Sequence, residues 1–471
     1  MQLTKTDFIQ YLNCPKSLWL LKHEPESYPS GTFSVFVQKL AREGYEVERY
    51  VRQLLSSDGT RTVNFQAVFE TEDGLFARLD ALERNGDGGA ILYEIKSSTS
   101  VKTGGAHNHI KDAGFQKICA ERAGQKIDRV VLVHLNGGYV RNGDVDPAGL
   151  LSFVDVTPQV DAIAEETEEE IDAALEFLRQ AAIERGSCSC LNKSRANHCD
   201  TFGYFNPDVP SPSIYSLPNL SAGKRSDLVV KGIFDLQQLP RDLELTPTQE
   251  LVVRSARMGA PQINADAIRS FLAGLEFPLY FLDYETYASA VPRLNRTSPH
   301  RHFPVQYSLH VLDADGTLRH EEFLEREARL PDRLIAHMRE RIGPVGNLIS
   351  WHASFEKAQN DEMGRLFPDW ASFFASLNTR MVDLEVPFKT SYVDVRFDGS
   401  TSIKKVLPVV CPTLSYDDLE VKDGASAMEA WERLIVAERQ EADHIAASMY
   451  LYCERDTLAM VEIYRFLDSL L

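Results

Sequence analysis

Residues 277–286 read FPLYFLDYET, an apolar and aromatic run of strand length that ends in Asp283-x-Glu285. Side chains alternate across a strand, so positions two apart point to the same face. Two carboxylates side by side repel each other unless a cation lies between them, and a hard divalent metal is the usual occupant of such a pair. The stretch therefore predicts a strand that carries metal ligands. The alternative is a strand end in a polar loop, where Asp and Glu are common.

Further acids and one tyrosine that could complete such a site follow along the chain. A short apolar run leads into a helical pattern with Glu356 at its start, and the last helical pattern contains Tyr452-x3-Asp456. Residues four apart on a helix share a face, so the phenol and the carboxylate can reach one site. The alternative is a helix face with one buried ring and one solvated acid. Asp383, which lies between them, could take the place of Glu356. Helices are also predicted at residues 264–275, 331–343 and 402–410, and a β-hairpin with an Asp-Gly turn at residues 303–325.

Taken in order, these motifs resemble the DEDD exonuclease superfamily, the DnaQ-like proofreading fold within the ribonuclease H class. The resemblance implies two divalent ions, Mg²⁺ or Mn²⁺, one of which activates water while the other stabilises the leaving oxygen. It implies that Tyr452 orients the water and that the metal-binding acids are Asp283, Glu285, Glu356 and Asp456. Glu356 is a departure, because the family carries Asp there, but the longer side chain can still ligate a metal.

The composition limits the classes of protein that the chain can be. With 471 residues and 44% hydrophobic content, it is long enough for two or three domains with their own cores. A net charge of -19 argues against general coating of nucleic acid, but it does not exclude a nuclease, because clustered carboxylates count as negative until metal binds. The sequence contains no signal-peptide pattern and no apolar run of about 18 residues, so we expect a cytoplasmic protein without a membrane span.

The N-terminal half carries a second candidate site on alternating strands. Thr4 is a predicted N-cap of the first helix. Strands are predicted at residues 62–70, 75–84, 90–98 and 128–136, and helices at about 33–55 and at 112–124. Asp80 lies on the second strand, and Glu94 and Lys96 share one face at the end of the third. Such acids can hold Mg²⁺ while a lysine polarises the attacking water. The alternative is a solvated strand edge.

The seven cysteines favour metal ligation over disulfides in an intracellular chain. Cys188-x-Cys190-x8-Cys199 closes this half of the sequence, and Cys14 lies near its start. Thiolates gathered in this way ligate zinc or an iron–sulfur cluster, and His198 could substitute for one thiolate at zinc. Four such ligands would tie the first helix to the last segment of this half. The alternative is a set of free thiols on a basic loop.

The ordered set resembles the PD-(D/E)XK nucleases of RecB type, which include the iron–sulfur nucleases of CRISPR adaptation. The shared parts are an N-terminal Cys-Pro, a strand Asp, a Glu-x-Lys pair, a Gln-containing helix and three late cysteines. The resemblance implies that Asp80 and Glu94 hold metal and that Lys96 and Gln116 belong to the catalytic site. It also implies that the four cysteines hold a [4Fe–4S] cluster, with Zn²⁺ as the alternative.

Two features depart from that family pattern. The family often has a metal-binding histidine a few residues after a helix glycine, whereas Gly44 is followed by Glu46 and Glu48. The first gap between the late cysteines is also shorter than is common in the family. The first departure leaves the metal stoichiometry open, and the second leaves the cluster type open.

A proline-rich segment opens the region between the two halves, which we predict as a helical connector at residues 206–275. Two short apolar helical patterns flank Lys231-Gly232-Ile233, as in a helix–hairpin–helix unit that holds a nucleic-acid backbone through turn amides and helix N-termini. The positive charge for this contact would come from Lys224, Arg225 and Lys231. The alternative is a helical spacer between domains.

The predicted fold class is therefore α/β, with a PD-(D/E)XK restriction-endonuclease-like domain at residues 1–205 and a ribonuclease H-like DEDD domain at residues 276–471. This architecture resembles a bacterial family of predicted double nucleases. The resemblance implies a metal-dependent DNA nuclease of DNA repair or defence that acts on single strands or ends and trims 3′ ends with its C-terminal domain. Two other functions stay open. One is a nucleic-acid-binding or partner-docking protein with degenerate sites, and the other is an RNA 3′–5′ exonuclease.

Overall fold

The structure is a computed structural model that describes residues 1–29, 35–57, 59, 61–86, 88–104 and 107–471. The chain divides into two compact units of mixed α/β structure. The first comprises Met1–Pro207 with Ser289–Arg301, and the second comprises Asp208–Ala288 with His302–Leu471. Almost all of the predicted connector therefore falls in the second unit. The loop Ser289–Arg301 belongs to the first unit, although it follows the Asp283-x-Glu285 strand in sequence.

The first unit contains the four predicted strands and the predicted helices, together with elements that were not predicted. The elements of this unit are β1 (Leu3–Thr4), α1 (Lys5–Asn13), α2 (Pro15–His23), α3 (Val35–Ser56), β2 (Val63–Glu70), β3 (Leu75–Arg84), β4 (Ala90–Ile95), β5 (Thr103–Gly104), β6 (His107–Asn108), α4 (His109–Arg122), β7 (Ile127–Leu135), α5 (Pro147–Leu150), β8 (Leu151–Asp155), α6 (Thr157–Ala162), α7 (Ala164–Arg179) and α8 (Phe202–Phe205). The predicted start of α3 at residues 33–34 lies outside the described residues.

The sheet of the first unit has the order β1-β3-β4-β7-β8, with β2 also paired to β3. Strands β3 and β4 run antiparallel, whereas β4 and β7 run parallel. Alternate side chains of β7 enter opposite cores. Val130 and Leu132 pack with α4 and α7, and Val131 and Val133 pack with α3. A strand with apolar residues on both faces is thus covered on both sides, as expected for a buried sheet.

The first helical run is broken where the sequence reads Cys14-Pro15. Thr4 caps α1 as predicted, because its hydroxyl accepts the backbone N–H of Asp7 while the Asp7 carboxylate accepts that of Thr4. Proline has no N–H and favours the first position of a helix, so Pro15 ends one helix and begins the next. The break leaves Cys14 in extended backbone, with φ -158° and ψ 102°.

The second unit contains a longer series of elements. They are α9 (Ala222–Val230), α10 (Pro247–Met258), β9 (Gln262–Ile263), α11 (Ala265–Ala273), β10 (Leu279–Tyr287), β11 (Phe303–Leu312), β12 (Leu318–Leu324), α12 (Asp332–Arg341), β13 (Leu348–Ser350), α13 (Ser354–Leu366), α14 (Ala371–Arg380), β14 (Met381–Asp383), α15 (Val386–Thr390), β15 (Tyr392–Val393), α16 (Ile403–Val410), α17 (Gly424–Leu434) and α18 (Arg439–Asp468). Within the described residues, no helix is both long and apolar enough to span a bilayer.

The main sheet of the second unit has the order β12-β11-β10-β13-β14. The predicted hairpin supplies the antiparallel strands β11 and β12, and β13 and β14 join the other side of β10 in parallel. On β10, Leu279 and Phe281 pack toward α16 and α18, whereas Tyr280 packs toward α12 and α13. Asp283 and Glu285 continue the first of these faces, because they follow with the same period of two. The strand therefore directs both acids toward α18.

The predicted helix–hairpin–helix unit is formed only in part. Its first helix is α9, and Gly232 makes the turn with a φ of 67°. In place of a second helix there is a single 3-10 turn, Leu236–Gln238. Pro240 follows almost directly, and proline cannot donate the next helical hydrogen bond. The segment after the glycine is therefore too short to present a second helix.

Candidate active sites

Four carboxylates of the second unit converge beside β10. Asp283 and Glu285 lie on the β10 face that packs against α18, and α18 brings Tyr452 and Asp456, one turn apart, to the same place. Glu356 lies in the first turn of α13, just after the strand β13 that pairs with β10. Only 3% of Glu356, 5% of Glu285 and 8% of Asp456 is exposed. The structure thus brings together the five residues that were predicted for this site.

Burial raises the pKa values of all four acids, and neighbouring acids of the group add to the rise for Asp283 and Glu285. Burial and the charges of the other three acids raise the pKa of Asp283 well above its ordinary value. Burial and the charge of Asp456 have the same effect on the pKa of Glu285. Burial raises the pKa of Glu356 to about 8 and that of Asp456 to about 6. No Lys or Arg in the described part of the chain forms an ion pair with any of the four. A divalent cation is therefore the charge that would hold them all ionised.

Glu356, rather than Asp383, is placed to act with the acids of β10. Its charge acts on Asp283, and its Oε2 atom is buried without a hydrogen-bond partner among the described residues. The Oδ1 atom of Asp383 already accepts the backbone N–H groups of His352 and Glu385, each at 3.0 Å. Asp383 therefore holds the turn between β13 and α13, where His352 has a positive φ of 61°.

An open cavity of about 340 Å³ is lined by Asp283, Glu285 and Asp456, and Tyr452 forms part of its wall. Two further residues that act on these acids, Tyr416 and Lys404, were not predicted. Tyr416 donates its hydroxyl to Oδ1 of Asp456 at 2.6 Å. Nζ of Lys404 lies 5.4 Å from the ring centre of Tyr452, and its charge opposes the rise in the pKa of Glu285. Neither residue stands at a helical or strand spacing from the acids, so no local sequence pattern identifies them.

In the first unit, lysines neutralise the acid of the predicted Glu-x-Lys pair. Oε1 of the fully buried Glu94 lies 2.7 Å from Nζ of Lys5 and 2.8 Å from Nζ of Lys96. Burial opposes ionisation of Glu94, but the two ammonium groups outweigh it and bring the pKa of Glu94 to about 2. Lys96 also forms an ion pair with Asp112. Lys5 and Asp112 were not predicted, and Lys5 lies 89 residues from Glu94 in the chain.

Asp80 lies next to this pair and in a different electrostatic setting. Its Oδ2 atom accepts the backbone N–H of Ile95 at 2.8 Å. Burial and then the charge of Glu94 raise the pKa of Asp80 to about 7. Asp80 and the buried Gln116 line one cavity of about 530 Å³. Among the described residues, Oε1 of Gln116 and Oε2 of Glu94 are buried without hydrogen-bond partners. Such oxygens are the ligands that Mg²⁺ and Mn²⁺ prefer.

The two acids that follow Gly44 have separate environments. Glu48 lines the cavity that contains Asp80, and its Oε1 accepts a hydrogen bond from Arg52 at 2.6 Å. Glu46 instead pairs with Arg293, at 3.2 Å. Glu48 is therefore the acid that occupies the neighbourhood where the resemblance predicted a histidine.

The four predicted cysteine ligands meet in the first unit, and they are Cys14, Cys188, Cys190 and Cys199. All four are buried, and their Sγ atoms lie within 4.8 Å of one another. The Sγ atoms of Cys188 and Cys199 are 3.9 Å apart. The ring of His198 stacks on Phe202 with centroids 3.6 Å apart, so His198 is engaged outside this group. The four thiols form a buried site that could hold a metal ion or a cluster.

The three basic residues predicted to contact nucleic acid differ in exposure. Lys231 is exposed at the end of α9, and Lys224 is half-buried and donates to the backbone carbonyl of Glu244. Arg225 is only 8% exposed, and its guanidinium donates to the carbonyl of Leu220 at 3.1 Å. This position corrects the prediction for Arg225, because a buried guanidinium that holds a backbone turn is not a surface contact.

Comparisons with known proteins give limited similarity. Residues 280–402 match the family model described as Domain of unknown function (DUF2779), a segment that contains Asp283, Glu285 and Glu356. No curated protein matches the chain. The crystal structure of SSO0001 has 16% identity, a TM-score of 0.22 and coverage of 36% of this chain and 75% of its own. An alkaline exonuclease (LHK-Exo) from Laribacter hongkongensis has 14% identity, a TM-score of 0.24 and coverage of 38% and 91%.

Proposed function

We propose that the protein is a metal-dependent nuclease that hydrolyses phosphodiester bonds in DNA, with one centre in each unit. The observation that carries this proposal is the convergence of Asp283, Glu285, Glu356 and Asp456. Four carboxylates gathered together, three of them buried and Asp283 half-buried, are costly unless cations offset their charge. The open cavity beside them admits solvent and a substrate. Clustered carboxylates with divalent ions are a common solution for phosphodiester hydrolysis.

For the second unit we propose a ribonuclease H-like DEDD fold in which the four acids bind Mg²⁺ or Mn²⁺. Once bound, the ions would supply activation of water and stabilisation of the leaving oxygen. Burial and the charge of Asp456 raise the pKa of Tyr452, so its phenol stays protonated and can hold a water molecule as a donor. Tyr416 donates to Asp456 and keeps that carboxylate in one orientation.

The substrate of this centre is proposed to be the 3′ end of a DNA strand, as the resemblance to DEDD exonucleases implies. An RNA 3′ end is the alternative, because carboxylate-bound ions contact the phosphate that both polymers share. The cavity wall also includes Phe355 and His302, whose rings could contact a terminal base. Contact through a ring face is tolerant of sequence, which suits an enzyme that trims ends.

For the first unit we propose a PD-(D/E)XK fold in which Asp80 and Glu94 hold one divalent ion. The buried oxygens of Glu94 and Gln116 support this role, because they have no hydrogen-bond partners among the described residues. Lys96 would then stabilise charge on the phosphate. Its ion pairs with Glu94 and Asp112 favour the alternative function, a binding protein with a degenerate first site, because a lysine held by two carboxylates is less available to polarise water.

We propose that the four cysteines hold a metal centre that ties the α1–α2 break to residues 188–199. The resemblance implies a [4Fe–4S] cluster. The 3.9 Å between the Cys188 and Cys199 sulfurs supports Zn²⁺ instead, because Zn–S bonds of about 2.3 Å place tetrahedral sulfurs about 3.8 Å apart. Analysis of protein purified without oxygen separates the two. Iron with acid-labile sulfide identifies the cluster, and zinc without sulfide identifies the single ion.

Degradation of end-labelled nucleic acid tests the proposed activity. We expect the full chain with Mn²⁺ to shorten 3′ ends of single-stranded DNA and to lose all cleavage when a chelator removes Mn²⁺. Matched DNA and RNA substrates, labelled at either end, distinguish the polymer and the direction. Cleavage of RNA alone would replace the DNA proposal with the RNA exonuclease. Binding of DNA without cleavage of either polymer would favour the binding protein.

A further inference from the structure

A group of histidines and acids outside both proposed nuclease centres lies on the main sheet of the second unit. His310 on β11, His320 on β12 and Glu454 on α18 each offer one ligand atom, and these atoms lie within 4.8 Å of one another. His310 and His320 stand opposite each other in the β11–β12 register, with ring centres 4.5 Å apart. We propose that His310, His320 and Glu454 bind a zinc-class transition-metal ion that fastens α18 to the sheet.

The hydrogen bonds around the two rings leave one nitrogen of each ring available as a ligand. Thr457 donates its hydroxyl to the carbonyl of Glu454 at 3.1 Å, so its oxygen is left to accept. Nδ1 of His310 lies 2.8 Å from that oxygen, and we assign it as the protonated nitrogen, the tautomer that matches this direction of the Thr457 hydroxyl. The lone pair of His310 is then on Nε2, which has no hydrogen-bond partner among the described residues.

The same chain of hydroxyls sets the tautomer of the second ring. Oγ of Ser308 lies 2.7 Å from Oγ1 of Thr457, and in this assignment Thr457 accepts and Ser308 donates. Ser308 therefore accepts from Nε2 of His320, at 2.9 Å. The lone pair of His320 is left on Nδ1, which lies 3.8 Å from Oε1 of Glu454. A histidine that donates one N–H to a fixed acceptor and presents the other nitrogen is the usual arrangement of a metal ligand.

A second acid completes the charge balance of this group. Glu322 lies two residues from His320 on the same strand face and directly opposite Ser308. Its Oε2 atom is buried without a hydrogen-bond partner in the described part of the chain. Burial, and then the charge of Glu454, raise the pKa of Glu322 to about 7. Two carboxylates beside two neutral imidazoles match the charge and the ligand types of a four-coordinate zinc site.

The distances fit a site that contracts slightly on binding. Ligand bonds of about 2.0–2.1 Å in a tetrahedron separate the ligand atoms by about 3.3 Å. The 3.8 Å between His320 and Glu454 exceeds this by a difference that a small side-chain rotation can close. Burial is the main cause that lowers the pKa of both imidazole rings, to about 4 for His310. Both rings therefore stay neutral and able to ligate near neutral pH. Imidazole ligands favour zinc, cobalt or nickel over Mg²⁺.

The position of the group gives it a structural consequence. Asp283 pairs with Ser308 in the β10–β11 register, so this site lies in the row of residues next to the acids of the proposed exonuclease centre. The helix that carries Glu454 also carries Tyr452 and Asp456. An ion shared by β11, β12 and α18 would therefore hold those two residues against the sheet.

Zinc binding to the full chain in excess Mg²⁺ tests the proposal whether or not the protein is a nuclease. The variant His320→Gln/Glu454→Gln removes two ligands, whereas the exposed His444→Ala on the same helix is the matched control. By equilibrium dialysis and metal analysis, we expect the wild type and the control to hold one more zinc ion than the double variant. The variant's affinity at this site should fall at least tenfold. The four cysteines are unchanged in all three proteins, so their metal cancels in the difference.

Equal zinc content and affinity in the wild type and a folded double variant would overturn the proposal. If circular dichroism shows that the double variant does not fold, Co²⁺ titration of the wild type decides. We then expect a species with visible d–d absorption but without thiolate-to-cobalt charge transfer, in addition to any signal from the cysteines. The absence of that species would overturn the proposal.

Discussion

The two proposed nuclease centres differ in the counter-charge that the protein places beside a buried glutamate. In the first unit, Lys5 and Lys96 outweigh the burial of Glu94 and bring its pKa to about 2. In the second unit, burial raises the pKa values of Asp456 and Glu356 to about 6 and 8. A buried charge with a counter-charge from the protein is held in one state, whereas like charges gathered together need protons or cations. The first centre carries part of its own neutralisation, and the second depends on its ligand.

Metal dependence should therefore be strongest in the second centre. Divalent ions that enter the second centre replace protons on acids with raised pKa values, so binding should release protons and strengthen as pH rises. In the first centre Glu94 is already ionised at neutral pH, and an incoming ion must compete with Lys5 and Lys96 for its oxygens.

The largest effect is expected for Asp283→Asn. The change removes the acid on which the charges of the other three act, and with it a central metal ligand of the second centre. We expect shortening of 3′ ends with Mn²⁺ to fall by about 10²–10³-fold. Asp315→Asn, at an exposed turn of the same hairpin, should retain wild-type activity. Full activity in the Asp283 variant would show that the carboxylate group does not carry the reaction.

A comparable but separate loss is expected for Lys96→Met in the first centre. Methionine preserves the length of the side chain but removes the charge that would stabilise the phosphate. Cleavage that survives Asp283→Asn should fall by about 10²-fold, while the 3′ trimming by the second centre should be unchanged. Lys126→Ala, which alters an exposed lysine of the same unit, is the control. If Lys96→Met leaves all cleavage unchanged, the first unit does not cut nucleic acid through Lys96, and the binding-protein alternative is favoured for that unit.

Stability in EDTA should respond in opposite directions to Glu356→Gln and Glu94→Gln. The pKa of Glu356 is raised from 4.5 to about 8, so the folded state binds more protons than the unfolded state between these values. Stability from this group therefore falls as pH rises through that interval. Glutamine cannot ionise, so we expect Glu356→Gln to stabilise the chain at about pH 8 by at least about 1 kcal/mol.

The stability contributed by Glu94 depends on pH in the opposite direction, because its pKa is lowered from 4.5 to about 2. Its contribution to stability is present above the unfolded value and is lost only as pH falls toward the folded value. Glu94→Gln also removes the ion-pair partner of the half-buried Lys5 and one of the two partners of Lys96, which costs about 1–3 kcal/mol. Urea denaturation of both variants at about pH 5 and pH 8 checks the signs. Destabilisation of both variants at pH 8 would contradict the contrast between the centres.

The parts that sequence could predict are those set by local periodicity. The alternation on β10 placed Asp283 and Glu285 on one face, and the helical spacing placed Tyr452 and Asp456 together. The strands β3 and β4 and the N-cap at Thr4 follow from the same kind of short-range rule. Within such elements, a residue's partner lies two to four positions away, so its type and spacing are visible in one dimension.

The parts that could not be predicted depend on how distant elements pack. Lys5 reaches Glu94 across 89 residues, and Tyr416 reaches Asp456 across 40 residues. The positive charge of Arg225 suggested a contact on the surface, but the packing around α9 buries this side chain. No period or spacing encodes these relations. The contacts of Lys5 with Glu94 and of Tyr416 with Asp456 help to set the pKa values of these acids. The sequence therefore indicated the acids but not their charge states.

Tyr416→Phe tests the long-range hydrogen bond from Tyr416 to Asp456. We expect it to have the smallest effect on activity among these variants. Loss of the hydroxyl removes the 2.6 Å hydrogen bond to Asp456, which lowers the pKa of that carboxyl against the effect of burial. A hydrogen bond to a charged group is worth about 1.5–3 kcal/mol, so we expect activity at neutral pH to fall by roughly tenfold. The acidic limb of the pH profile should move to higher pH, because Asp456 would need more alkaline conditions to ionise. Tyr464→Phe, on the same helix but outside the cavity, should leave both quantities unchanged. A rate loss without any shift of the profile would mean that Tyr416 supports the cavity wall rather than the charge of Asp456.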